Sequence, residues 1–111
     1  MAKQAYPAQT LTRTLVGEVP AFRFVGTDNA LAGDGANTIG VASHYGLDED
    51  TAVYTLGAVP VETGGPVTEG ALVQSDGDGC AIDKAAGAGV ARALDGASNA
   101  GQFILCQLIP N

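Results

Sequence analysis

The sequence predicts an all-β fold: a small single-domain β-barrel or compact β-sandwich of short strands, with an extended N-terminal arm. Three observations lead there. Val53, Thr55, Val59 and Val61 alternate with Tyr54, Leu56 and Ala58, and a period of two rich in β-branched residues is the pattern of a pleated strand. Glycine occurs 16 times in 111 residues, well above the usual share of ~7%, and at that density it punctuates short strands. No segment carries a convincing helical period.

Residues 1–9 lack periodicity and contain Pro7, so residues 1–15 read as an arm and residues 16–111 as the folded domain. Within the arm, Thr10 to Leu15 alternates weakly, which fits either a strand or a segment that orders on contact with a partner. Ala21 to Val25 is a strand opened by Pro20, where proline is tolerated, with Phe22 and Phe24 on one face and Arg23 on the other. Gly26 to Asn37 is a loop built from turn residues. Thr38 to Ala42 is a short strand, and Gly46 to Asp50 an acidic loop. The central stretch then gives a long strand, the Thr63-Gly64-Gly65-Pro66 turn, a strand at 71–73, the Asp76-Gly77-Asp78-Gly79 reversal and a strand at 80–82. Ala85 to Gly89 is a flexible link into a strand at 90–94. Residues 95–101 hold one helical turn at most. Gln102 to Ile109 is apolar on both faces and stopped by Pro110, which suits a central or interface-buried strand.

The composition narrows the function classes. Hydrophobic residues make up 46% but aromatics only 5%, so the core is built from Val, Leu, Ile and Ala. A thin core gains from further burial, and association is one route to it. The net charge is −7. Residues 1–24 carry Lys3, Arg13 and Arg23 against Glu18, so the acid is concentrated in the body. An acidic body repels phosphate, which argues against nucleic acid and anionic membrane as partners. No apolar run is long enough to cross a bilayer and no secretory leader pattern opens the chain. A cytosolic, thiol-reduced origin is the expectation.

Catalytic and cofactor chemistry finds little to stand on. His44 is the one histidine, and nothing local marks a nucleophile or an orienting acid for it. Asp76-Gly77-Asp78-Gly79 begins like a calcium loop, but the position that needs a bidentate Glu is Gly87 and the third ligand position is Cys80, so a turn is the better reading and no metal is expected. Cys80 and Cys106 fit no metal or redox spacing and behave as small buried hydrophobes. A disulfide between them requires the two strands to adjoin. No cofactor is expected, and no enzyme.

Ile39-Gly40-Val41-Ala42, then Gly57-x-Val59-x-Val61-x-x-Gly64-Gly65-x-Val67-x-x-Gly70, then Ser75-Asp76-x-x-Gly79, and the closing run from Ala91 to Ile104 resemble the capsid decoration (cement) proteins of tailed phages. The resemblance covers roughly residues 36–109. Cys80 departs from it, since that family more often has a basic residue there. It implies a small all-β structural protein on the exterior of the virion capsid, made in the host cytoplasm. It also implies a major capsid protein as partner and self-association as a homotrimer. A second likeness runs through Gly65-Pro66-Val67-x-x-Gly70-x-Leu72 to Asp83-Lys84-Ala85, which looks like a lipoyl- or biotin-carrier domain with Lys84 as the modified residue. In that class the lysine follows the leucine by about seven residues; here twelve separate them. A third reading is another all-β virion adaptor or tail component.

Contact residues follow from pattern. Tyr6, Leu11 and Leu15 are the apolar side chains of the arm, and Lys3 and Arg13 its cations, fit to meet acidic residues of a shell. Phe103, Leu105 and Leu108 lie in the run that is apolar on both faces and are the candidates for a subunit contact.

Overall fold

The structure, a computed structural model, describes residues 4–111. Among them there is no helix, and ten strands follow in order. These are β1 (Tyr6–Thr14), β2 (Glu18–Val19), β3 (Phe24–Gly26), β4 (Thr38–Ala42), β5 (Gly46–Leu47), β6 (Asp50–Glu62), β7 (Leu72–Ser75), β8 (Ala81–Asp83), β9 (Ala91–Ala93) and β10 (Phe103–Leu108). The predicted all-β class is what the chain adopts. Seven strands run in the order β3-β4-β6-β10-β9-β7-β8, every pair antiparallel, while β1 pairs with β6 off this path and β2 pairs with β5. The sheet curls until its ends meet. Phe24 at the start of β3 donates its N–H to the Gly79 carbonyl in the β7–β8 turn at 2.7 Å, and Thr63 bridges Ala81. The result is a nearly closed barrel, a form that leaves few free edges.

Inside the barrel lie Phe24, Val41, Val59, Val61, Val73, Val90, Ile104 and Cys106, with Leu108 at one end. A smaller cluster of Leu15, Val19, Val25, Ala42 and Val53 lies on the other side of β3, β4 and β6. The alternation explains both: Phe24 and Val41 point inward, Val25 and Ala42 outward, and the β2–β5 pair with Leu15 covers the outward set.

Strand β6 is longer than expected, at 13 residues, and it changes face midway. Strict alternation would put Val53, Val59 and Val61 on one side. Val53 belongs to the outer cluster and Val59 and Val61 to the barrel interior, which Tyr54 also contacts. Between them Gly57 adopts φ 105°, opposite a register shift in β1 at Pro7 to Thr10. A bulge of this kind slips the alternation by one residue.

Three further expectations change. Phe22 and Phe24 do not share a face: Phe22 sits in a turn at φ 61°, before β3 begins, and its ring lies outside the barrel. Gly46–Leu47 is strand, not loop, because it pairs with Glu18–Val19. Residues 85–89 are pinned, since the buried Gln74 Oε1 accepts the N–H groups of Ala85 at 2.7 Å and Gly87 at 2.9 Å.

Candidate docking surfaces

Strand β1 is an antiparallel neighbour of residues 50–58 of β6, and all nine of its residues are exposed. It runs along the same edge of β6 that β10 occupies further on, and both registers reach Ala58. The attachment is specific all the same. Thr55 Oγ1 bonds Gln9 Oε1 at 2.8 Å, and Thr14 Oγ1 donates to Asp50 Oδ1 at 2.5 Å. At Gly57 a Cβ would lie 2.5 Å from the Tyr6 carbonyl oxygen and 2.6 Å from the Ala8 nitrogen, so only glycine lets β1 approach this closely. The far edge of β1 is unpaired among the described residues. Residues 4–17 carry one charge, Arg13, and residues 51–61 none. Arg13 donates Nε to Asn29 Oδ1, a neutral partner, at 3.1 Å. The ribbon is therefore sparsely charged for an acidic protein, with Arg13 and, opposite Thr14, Asp50 near one end.

The second surface is the outer face of β10. Leu105 lies opposite Pro60 of β6 on one side, and on the other it accepts the N–H of Leu94, at the end of β9, at 2.8 Å. Phe103 lies opposite Glu62, and its ring meets that of Phe22 edge to face with centroids 5.8 Å apart. Phe103 and Leu94 are 42% and 41% exposed. Glu62 forms an ion pair with Arg23 at 3.2 Å, which raises the Arg23 pKa further, chiefly through the hydrogen bond. A third, smaller patch comprises Val16, Tyr45 and Leu47 around the β2–β5 pair, with the Tyr45 hydroxyl donating to Glu18 Oε2 at 2.9 Å and its pKa raised by that bond.

The candidates from the sequence thus divide. Tyr6, Leu11 and Arg13 are exposed on β1, and Phe103 with the half-buried Leu105 stands on the outer face of β10. Leu15 and Leu108 are corrected: at 1% and 6% exposed they are core side chains, because alternation turns Leu15 into the outer cluster and Leu108 into the barrel. Lys3 lies outside the described residues. Phe22 and Leu94 were not anticipated as surface partners of Phe103 and Leu105. Leu94 joins them through strand pairing, which no local pattern announces, and Phe22 through a left-handed backbone.

The groups screened for chemistry have ordinary structural roles. Asp76 Oδ1 accepts the N–H groups of Asp78 and Cys80 at 2.8 and 2.9 Å, closing the β7–β8 turn. Ser43 Oγ donates to the Ala52 carbonyl at 2.8 Å, so the His44 Nδ1 2.8 Å from it must act as donor, the reverse of a base drawing a proton from serine. Cys80 and Cys106 are free and buried, and burial pushes their thiols up to about 11 and about 12. Lys84 follows β8 and donates its backbone N–H to Leu72, while the hairpin tip that a carrier lysine would occupy is residues 76–80. Among the described residues no group of three or more His, Cys, Asp or Glu is placed to hold a metal ion.

A family model described as phage cement protein matches residues 3–108, a span that takes in both β1 and the barrel. The chain belongs to the phage cement protein family. Comparison with curated proteins returns no match. Among solved structures, the head fiber gp8.5 N base in bacteriophage phi29 is similar in fold, with a TM-score of 0.74 and 18% sequence identity over 91% of this chain and 95% of that one. As a member of the cement family and a fold relative of a phage head component, this is a structural virion protein.

Proposed function

We propose that this cement protein decorates the outside of an assembled phage capsid, binding the major capsid protein and bracing the shell as a homotrimer, without catalysis and without engaging nucleic acid or membrane. The observation that carries the reading is the family match over residues 3–108, which includes the exposed β1 ribbon as well as the barrel. The head-fiber structure with the same fold supports a place on a phage head. The ribbon suits the docking role physically. It offers Tyr6 and Leu11 as apolar contacts and Arg13 as a cation, and β1 itself carries no acid. Bracing works by adding contact area across joints between capsid subunits, and many modest interfaces sum into shell stability.

The experiment is co-sedimentation with mature shells that lack the protein, followed by thermal disruption of decorated and bare shells. Saturable binding together with a raised disruption temperature is the expected result. Failure to co-sediment, or binding that leaves disruption unchanged, contradicts the proposal. The carrier alternative is read in the same preparation, since a lipoyl or biotinyl adduct on Lys84 would appear in the intact mass.

A further inference from the structure

The outer face of β10 has a charge pattern unlike the rest of the molecule. Its outward positions, with the adjoining Phe22–Arg23 turn and Asp95, hold Glu62 and Asp95 against Arg23 and Arg92, and the next acid is Asp78, whose backbone carbonyl accepts from Arg23 Nη1 at 3.4 Å. The other ten acidic residues of the chain lie on other strands and loops. Two copies of a protein with a net charge of −7 repel each other over most approaches. They close on one another most readily where acids and bases are nearly balanced beside apolar side chains, and this face is such a place.

Its apolar groups form one continuous row rather than scattered side chains. Leu94 and Leu105 are laterally aligned on neighbouring strands, with the buried Pro60 behind them on β6, and Phe103 with Phe22 extends the row by one position. Phe22 adds a second, independent observation. A bulky residue at φ 61° is strained and persists only where the surroundings hold it. Here its N–H donates to the Ala42 carbonyl at 2.8 Å and its carbonyl accepts the Glu62 N–H at 2.9 Å. The turn sets a half-buried aromatic ring beside Phe103, outside both core clusters of its own protomer.

We propose that Phe22, Leu94, Phe103 and Leu105 form the face on which a second copy of this chain packs. The proposal rests on the self-association put forward above and gives it a location. The β1 ribbon is left free for a different partner. Packing of this kind buries the apolar row and retains the Arg23–Glu62 pair at the rim, the division between apolar centre and polar margin common to protein interfaces.

The test compares solution masses by light scattering across a concentration series for the full chain, Leu94→Glu, Phe103→Glu and, as a control on β1, Leu11→Glu. The expected result is an oligomer for the unmodified chain and for Leu11→Glu. Leu94→Glu and Phe103→Glu should be folded monomers, with association weakened at least tenfold. Circular dichroism and cooperative melting establish folding. Should a glutamate variant not fold, covalent footprinting of the unmodified chain decides: labelling of Phe22, Leu94 and Phe103 must fall as the oligomer forms while that of Tyr6 does not. Folded glutamate variants that remain oligomeric, or footprints unchanged on association, overturn the location alone. An unmodified chain that stays monomeric at high concentration, both free and on shells, overturns self-association as well. Binding to shells is read separately, so its failure does not bear on this result.

Discussion

Strands β10 and β1 are both antiparallel partners of β6, and their registers meet at Ala58, yet they play opposite parts. β10 alternates: Ile104, Cys106 and Leu108 are buried while Phe103 and Gln107 are exposed. It stands between β6 and β9 in the middle of the barrel wall. β1 continues the same edge, but none of its side chains joins either core cluster and all nine residues stay exposed. Backbone pairing alone does not make a strand part of a core. What decides is whether the sheet turns one face of the strand inward, and at Gly57 the bulge in β6 marks where that changes.

Substitutions on the two strands should break the comparison most sharply. Ile104→Ala removes a side chain that is 2% exposed and leaves a cavity, so urea unfolding should show a loss of about 2–5 kcal/mol. Leu11→Ala on β1 should fall within ~0.5 kcal/mol of the unmodified chain in the same assay. If the two losses are comparable, β1 is part of the folding unit and the contrast fails.

Alkaline titration probes the β10 side further. Burial holds the Cys106 thiol protonated up to about 12, against 9.0 for an ordinary thiol. Above pH 9 the unfolded chain loses this proton and the native one keeps it, so stability must fall as pH rises through that window. Cys106→Ala should lessen the fall. Both native thiols should resist aromatic disulfide reagents near pH 8 and react fully in denaturant.

Gly57→Ala sharpens the comparison at its hinge. A methyl group there collides with the backbone of Tyr6 to Ala8, and φ 105° is strained for alanine. The strain should be relieved by release of the start of β1, seen as lost hydrogen-exchange protection at residues 6–10, with protection of β10 retained. Loss in both strands at once would show the two to be one cooperative unit.

How much of this was legible follows the same division. β4 and β10 could be read from their residues because each lies within one regular stretch with a clear stop, such as Pro110 after β10. The face change in β6 was not, since a glycine inside a strand announces a bulge or nothing at all until its partner is known. β2 and β5 are two residues each, and their strand character comes from one another rather than from any period. Leu15 looked like arm because it ends a weakly patterned run, but the outer cluster it fills is assembled from β2, β3, β4 and β6, four separate segments. Phe22 and Leu94 reach the β10 face by turn geometry and strand pairing, which are properties of the folded chain only.

If β1 serves binding, the barrel stands without it. Deleting residues 2–14 tests this directly, because the cut spares Leu15, whose burial belongs to the core. The truncated protein should melt at nearly the same temperature as the full chain and bind shells at least tenfold more weakly, about 1.4 kcal/mol. The full chain's binding should also weaken as salt screens the Arg13 contacts. A truncated chain that fails to fold, or that binds shells as tightly as the intact one, would contradict the claim.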